Sequence, residues 1–379
     1  MSNRKTQNAW AFYDWANSVY SLVISTAVFP IYFESATAAQ GREFITILGF
    51  ETRNTVIYSY SLSLSFLLVA FISPLLSGIA DYTGKKKRFL QFFCYLGAVS
   101  CSLLFFFYGR NIYYGLGLSV LASIGFWGSL VFYNAFLPEV ARPEEQDRLS
   151  ARGFALGYAG AALLLIVNLM MIQMPENFGL TDSGAASRWS FLLVGIWWAG
   201  FAQVSFRRLP DNPYHRKPGK RWFLKGYEEL LKVGRQMRKM KSLRRFLYSF
   251  FTYSIGVQTV MYLASLFGKT ELGLQTSTLI LTILIIQFVG IAGSFIFSYF
   301  ARKFGNLQSL KISIIIWAGV CFGAYSLSAD DPNVVYKFYV IGGLVGLVMG
   351  GIQAISRSTY SKMLPETHSH ASFFSFYDV

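Results

Sequence analysis

What most constrains this chain is the recurrence of apolar runs about as long as a helix needs to cross a hydrocarbon core, roughly 17–25 residues. Ten of them follow one another along the 379 residues: 15–33, 57–80, 89–108, 112–137, 153–174, 189–206, 246–267, 279–300, 310–327 and 338–360. Their hydrophobicity is continuous, which predicts helices. The strands of a membrane barrel would instead alternate over about ten residues. Only 14% of the residues are charged, and mean hydropathy is +0.41; a soluble domain carries about 25% charge. The first run is too long for a cleavable leader and lacks a small-residue cleavage site. Three cysteines without paired spacing exclude a disulfide scaffold, and Cys94 and Cys101 read as small core residues. The expected class is all-α, multi-pass and integral to the membrane.

Charge sets the orientation. With the N-terminus inside, 28 Lys and Arg fall in inner segments, against six outside: Arg42, Arg53, Arg110, Arg188, Lys269 and Lys337. This is the asymmetry of the positive-inside rule. It accounts for the net charge of +15 without nucleic acid as a partner.

The longest inner segment predicts the domain boundaries: six spans in 1–206, a basic linker over 207–245, and four spans in 246–379. The linker opens on Pro210, Pro213 and Pro218 and continues as RWFLKGYEELLKVGRQMRKM. Phe223, Tyr227, Leu230, Leu231 and Met237 recur there at helical spacing among lysines and arginines. Two readings stand, an amphipathic helix held on the inner leaflet by anionic lipid and a solvated tether. An internal repeat supports the division: Ser77-x3-Asp81-x2-Gly84 returns as Ser298-x3-Arg302-x2-Gly305, 221 residues on. Leu137-Pro138-Glu139 returns as Leu364-Pro365-Glu366, 227 residues on. Duplicated halves are a recurring transporter plan. A mirrored second half would run about fifty residues further, so two more spans are expected beyond residue 379.

Polar residues inside apolar runs are costly in lipid and face a bundle interior or a wet cavity. At about 100° per residue, Asp14, Asn17, Ser18, Ser21 and Ser25 fall in one stripe of the first run. Asp14, near the inner end, reads either as cavity-lining or as an interfacial N-terminal residue favoured by the helix dipole. The seventh run presents Tyr248, Thr252, Gly256 and Thr259 on one face, and the tenth presents Gln353, Ser356, Arg357 and Tyr360 at the spacing of Asp14 to Ser21. The Arg357 guanidinium suits a carboxylate, with snorkelling to the inner surface as the other reading. Tyr133 and Asn134 are further cavity candidates. Enzyme chemistry finds no foothold. Gly268-Lys269-Thr270 has Leu263 where a phosphate loop needs glycine, and His215, His368 and His370 read as solvated. No metal or cofactor is expected.

SGIADYTGKKKRF, residues 77–89, resembles the loop motif of the major facilitator superfamily, with Ser77 in place of its first glycine. Four segments are similar to its vacuole-effluxer-like, autophagy-related branch: YDWANSVY, FYNAFLPEVARPEEQDRLSARGFALGY, GVQTVMYLASLFG and GGIQAISRSTYSKMLP. The resemblance implies a major facilitator fold of two six-helix bundles, ten of whose spans (6 + 4) are present here, with alternating access to a central cavity. It implies a secondary transporter of a small polar metabolite, an amino acid as in the fungal vacuolar effluxers, moved by efflux. A non-transporting sensor with the same fold is the alternative. The gating loops would be Asp81, Gly84 and Lys85 in one half and Arg302 and Gly305 in the other. Asp81 would latch near the start of span eleven, which is expected to be missing. Arg148 and Arg152 stand as partners within its own half. Gln258 occupies a position where other branch members carry an acid. A monomer in a bacterial cytoplasmic membrane is the expected setting.

Overall fold

Helices form where the apolar runs lie, in a computed structural model that describes residues 3–38, 41, 44–47, 49–212 and 222–378. Arg42, Pro213, His215 and Pro218 lie outside the described residues. In order, the helices are α1 (Arg4–Val19), a π-helical stretch (Tyr20–Ala27), α2 (Phe29–Ala38), α3 (Asn54–Thr83), α4 (Lys86–Leu103), α5 (Ile112–Asn134) and α6 (Leu137–Val140). They continue with α7 (Pro143–Gln173), α8 (Ser183–Phe206), α9 (Trp222–Lys239), α10 (Lys241–Thr270), α11 (Thr276–Phe304), α12 (Asn306–Tyr325), α13 (Val334–Met363) and α14 (His370–Phe374). Between α2 and α3 an antiparallel hairpin pairs β1 (Phe44–Ile47) with β2 (Phe50–Arg53), in a register that sets Phe44 against Arg53. Asp182 caps α8 by accepting from the Ala185 amide at 2.7 Å. That bond holds its carboxyl below the usual range.

Nine helical segments among the described residues are long and apolar enough to cross a membrane. They match nine of the ten expected runs. The other, 246–267, is the middle of α10, a single helix of 30 residues that falls outside that set. Large apolar side chains stand exposed along these helices, Phe71, Phe288, Ile315 and Phe322 among them, as on a surface solvated by lipid tails.

Packing divides the chain into two compact units. One comprises Met1–Trp15, Leu137–Ala162 and Gln236–Glu366; the other comprises Ala16–Phe136, Leu163–Arg235 and Thr367–Val379. Both draw residues from either side of the linker, so packing does not follow the boundaries at 206 and 246.

Glycine seams hold each unit. In the first, α11 and α13 approach until their backbones touch: a Cβ on Gly293 would stand 2.0 Å from the Leu347 carbonyl oxygen, and one on Gly350 2.2 Å from that of Gly290. In the second, a Cβ on Gly125 of α5 would lie 2.4 Å from the Gly97 amide of α4. Lipid supplies no hydrophobic drive between helices, so close backbone packing carries their association. Gly350→Leu is therefore expected to leave little folded, monodisperse protein on size exclusion in detergent. Gly319→Leu, whose Cβ meets nothing within 4 Å, is the control expected to match the parent.

Candidate functional site

A buried ion pair of the first unit lies where α1, α7 and α13 meet. Arg357 of α13 is 2% exposed and Asp14 of α1 is 4% exposed. The Arg357 Nη2 stands 3.1 Å from Asp14 Oδ2. The same guanidinium donates from Nε to Ser150 Oγ and from Nη2 to the Ser150 carbonyl, both at 2.9 Å. Ser150 Oγ in turn donates to the Ala354 carbonyl at 2.7 Å. Two aromatic rings flank the cation, Phe154 at 4.1 Å and Trp10 at 4.8 Å.

Helical spacing builds this cluster. Trp10 and Asp14 share one face of α1, Ser150 and Phe154 one face of α7, each pair four residues apart. A desolvated guanidinium is tolerable only when its charge is paired and its donors are used, and the rings add attraction through their negative faces. One turn away on α13, Gln353 Oε1 accepts from Tyr158 Oη at 2.7 Å. Ser356 shares a 2.6 Å hydrogen bond with Tyr253 Oη.

Two sequence readings are corrected here. Arg357 does not snorkel, because its charged head is buried. Asp14 is not an interfacial cap, because it sits in the third turn of α1 and faces the cation. Arg357 does meet a carboxylate, but that carboxylate belongs to the protein.

A second polar cluster in the same unit was not foreseen. Asp147 of α7 accepts from Lys362 Nζ at 2.5 Å and from Asn306 Nδ2 at 2.7 Å. Asn306 Nδ2 also reaches Thr359 Oγ1 at 3.1 Å, and Lys362 Nζ reaches Asn306 Oδ1 at 3.2 Å. Asn306 opens α12 directly after Gly305, whose φ of +87° suits glycine. Arg302, the repeat's counterpart of Asp81, is exposed and lies 5.9 Å from the ring of Tyr299. The loop thus makes its connection through the residue after Gly305.

The second unit holds Asp81, 5% exposed near the end of α3. Its Oδ1 accepts from the Ala371 amide at 3.2 Å, and its Oδ2 accepts from the Ser372 amide and from Ser372 Oγ, each at 2.7 Å. The partner that was expected to be missing is therefore present in α14. Arg148 is exposed, and Arg152 donates to Asn8 Oδ1. Gly84 ends α3 at φ +69°, and a Cβ there would meet Asn212 Oδ1 at 2.3 Å.

Lys85 is exposed, and its neighbours do the anchoring. Lys86 is buried, donates to the Ala135 carbonyl at 3.1 Å and lies 4.3 Å from the Phe136 ring. Lys87 pairs with Asp211 at 3.1 Å. Tyr133 is buried, and Asn134 Nδ2 donates to Asp378 Oδ1 at 2.8 Å. His370, read as solvated, is buried as well.

The serine stripe of the first run does not continue evenly. Asn17 is buried, Ser18 and Ser25 are half-buried and Ser21 is exposed. From Tyr20 the backbone runs as a π-helix over eight residues. Its i→i+5 bonds break the 3.6-residue spacing, and Thr26 Oγ1 donates back to the Ser21 carbonyl at 2.9 Å. On α10, Thr252 and Thr259 are exposed and donate to their own helix, to the Tyr248 and Ile255 carbonyls. Among the described residues no group of three or more His, Cys, Asp or Glu could hold a metal.

These arrangements have relatives. The family described as "Vacuole effluxer Atg22 like" matches residues 2–379. The MFS-type transporter YxiO of Bacillus subtilis is 32% identical over 376 residues, which is 99% of this chain and 84% of that one. Autophagy-related protein 22-1 of Penicillium rubens is 25% identical, over 92% of this chain and 72% of its own. In fold, the chain is similar to the major facilitator proton:xylose symporter XylE, with a TM-score of 0.66 and 14% identity, over 99% of this chain and 86% of that one.

Proposed function

The chain belongs to the vacuole effluxer Atg22-like family, a branch of the major facilitator transporters, and we propose that it exports a small amino acid by alternating access. It is a membrane transporter rather than an enzyme. The two sequence halves, 1–206 and 246–379, would rock to alternate access, with Gln353 and Ser356 lining the path. The N-terminus and the basic loops would face the cytoplasm of a bacterial cell, and the working form would be a monomer. The observation that carries this reading is the buried Asp14–Arg357 pair, which joins the first helix to the last long one.

A guanidinium held this way can release Asp14 only if another acceptor takes its place. An unpaired charge at this depth would cost several kcal/mol, roughly 3–5. A substrate carboxylate offers the same planar, two-oxygen acceptor. Exchanging one carboxylate for another is then nearly balanced, and the substrate becomes the key to the gate.

Counterflow in proteoliposomes tests the substrate class. With a panel of labelled amino acids, at least one is expected to accumulate several-fold over protein-free vesicles. A panel in which none moves or binds would remove the amino-acid assignment while leaving the transporter family intact.

A further inference from the structure

We infer that α9 is a strap, tightened by an anionic membrane surface, that holds the Asp81 contact closed. The inference rests on reading that contact as a latch.

The strap grips both sides of the latch. Gly226 packs on α3 so closely that its Cβ would stand 2.6 Å from Ile79 Cγ1 and 2.8 Å from the Ile79 amide nitrogen, one half-turn before Asp81. Glu229, three residues on, accepts from Ser369 Oγ at 2.5 Å, three residues before Ser372. The segment preceding α9 reaches the same loop, through Asp211 on Lys87 and Asn212 beside Gly84. One helix therefore ties the end of α3 to the segment whose amides Asp81 accepts.

On the side of α9 away from these grips, Lys225 pairs with Glu228 at 2.8 Å, and Arg238 stands exposed among the apolar residues. At about 100° per residue, Phe223, Leu224, Tyr227 and Leu231 form a second apolar face, all four exposed. Trp222 is also exposed at the start of the helix. Lys225, Lys232, Arg235 and Lys239 line the edge beyond that face, and α9 as a whole has five basic residues against two acidic ones. An exposed apolar stripe with aromatic residues and a basic edge fits the boundary between anionic headgroups and acyl chains. Each basic residue near such a surface adds to the attraction. The covalent setting agrees, since α9 joins the ends of two long helices, α8 and α10. A bilayer rich in acidic lipid would thus pin α9, and with it the Gly226 and Glu229 grips.

Full-length protein is reconstituted in phosphatidylcholine vesicles and in vesicles with about a third phosphatidylglycerol. Hydrogen exchange of the amides of 370–376 is expected to slow at least tenfold with the anionic lipid. Brominated lipid is expected to quench the fluorescence that Tyr227→Trp adds on the exposed face. The triple variant Lys225→Gln, Lys232→Gln, Arg235→Gln should lose the lipid response while matching the parent in phosphatidylcholine. Glu229→Ala, which removes the acceptor of the Ser369 hydroxyl, should lose the response too, yet keep the quenching, because it cuts the strap and leaves its anchor. Equal exchange in both vesicles, or a triple variant that still responds, overturns the proposal. So does a Tyr227→Trp signal untouched by brominated lipid, which would assign the face to another protein. None of these readouts requires transport, so their failure is separable from failure of the substrate assignment.

Discussion

Replacing Arg357 with alanine is expected to abolish transport and to cost roughly 3–5 kcal/mol of stability, because Asp14 is left buried and uncompensated. Arg357→Lys should be intermediate. An ammonium keeps the charge but cannot meet Asp14, Ser150 Oγ and the Ser150 carbonyl from one rigid plane. A paired substitution separates the gate from the scaffold. Asp14→Leu with Arg357→Met removes both charges, and replacing a buried ion pair with apolar groups of similar volume is often neutral or stabilising. This double variant should therefore recover the thermal midpoint in detergent and still transport at least a hundredfold more slowly. A cysteine at 353 should stay shielded from an inner-side thiol reagent in the double variant even when substrate is present, whereas in the parent substrate should expose it. Full transport in the double variant would show that the pair serves stability alone.

Much of this protein is written locally, and the rest is not. Span positions follow from runs of apolar residues, a property of one stretch at a time. The run at 246–267 lies within a single helix of 30 residues, as its length predicts. Asp14 and Arg357 could each be singled out from sequence as polar groups in apolar surroundings. Their pairing could not, since they are 343 residues apart and either could have faced water. Ser150 and Trp10 gave no signal, being an ordinary serine and an ordinary aromatic in their helices. The stripe in the first run failed past Val19 because it assumed α-helical spacing, and the π-helical turn carries no marker in the residues themselves. The internal repeat located both loops, but equivalence of position did not mean equivalence of contact: Arg302 points outward while Asn306 reaches Asp147. Arg302 carries donors where Asp81 carries acceptors, so the two loops cannot make the same bond set, and the second is tied instead by the Asn306 amide donating to Asp147.

The same logic sets the expected behaviour of Asp81. Its two oxygens accept from two backbone amides and a hydroxyl, so every partner is a donor. Asp81→Asn keeps the shape but must turn an amide N–H toward one of those donors. It is thus expected to be as damaging as Asp81→Ala, with transport down at least tenfold and faster hydrogen exchange of the amides at 371 and 372. Hydrogen bonds to a charged group contribute about 1.5–3 kcal/mol each, so Ser372→Ala, which removes only the hydroxyl, should give a partial effect. The ordering matters more than any single value. If Asp81→Asn transported normally while Asp81→Ala did not, the carboxylate would be acting through its size, and the contact would be packing rather than a latch. If Asn and Ala are alike and Ser372→Ala falls between them and the parent, the charge itself holds α14 against α3, and opening this end of the protein requires breaking that bond set together.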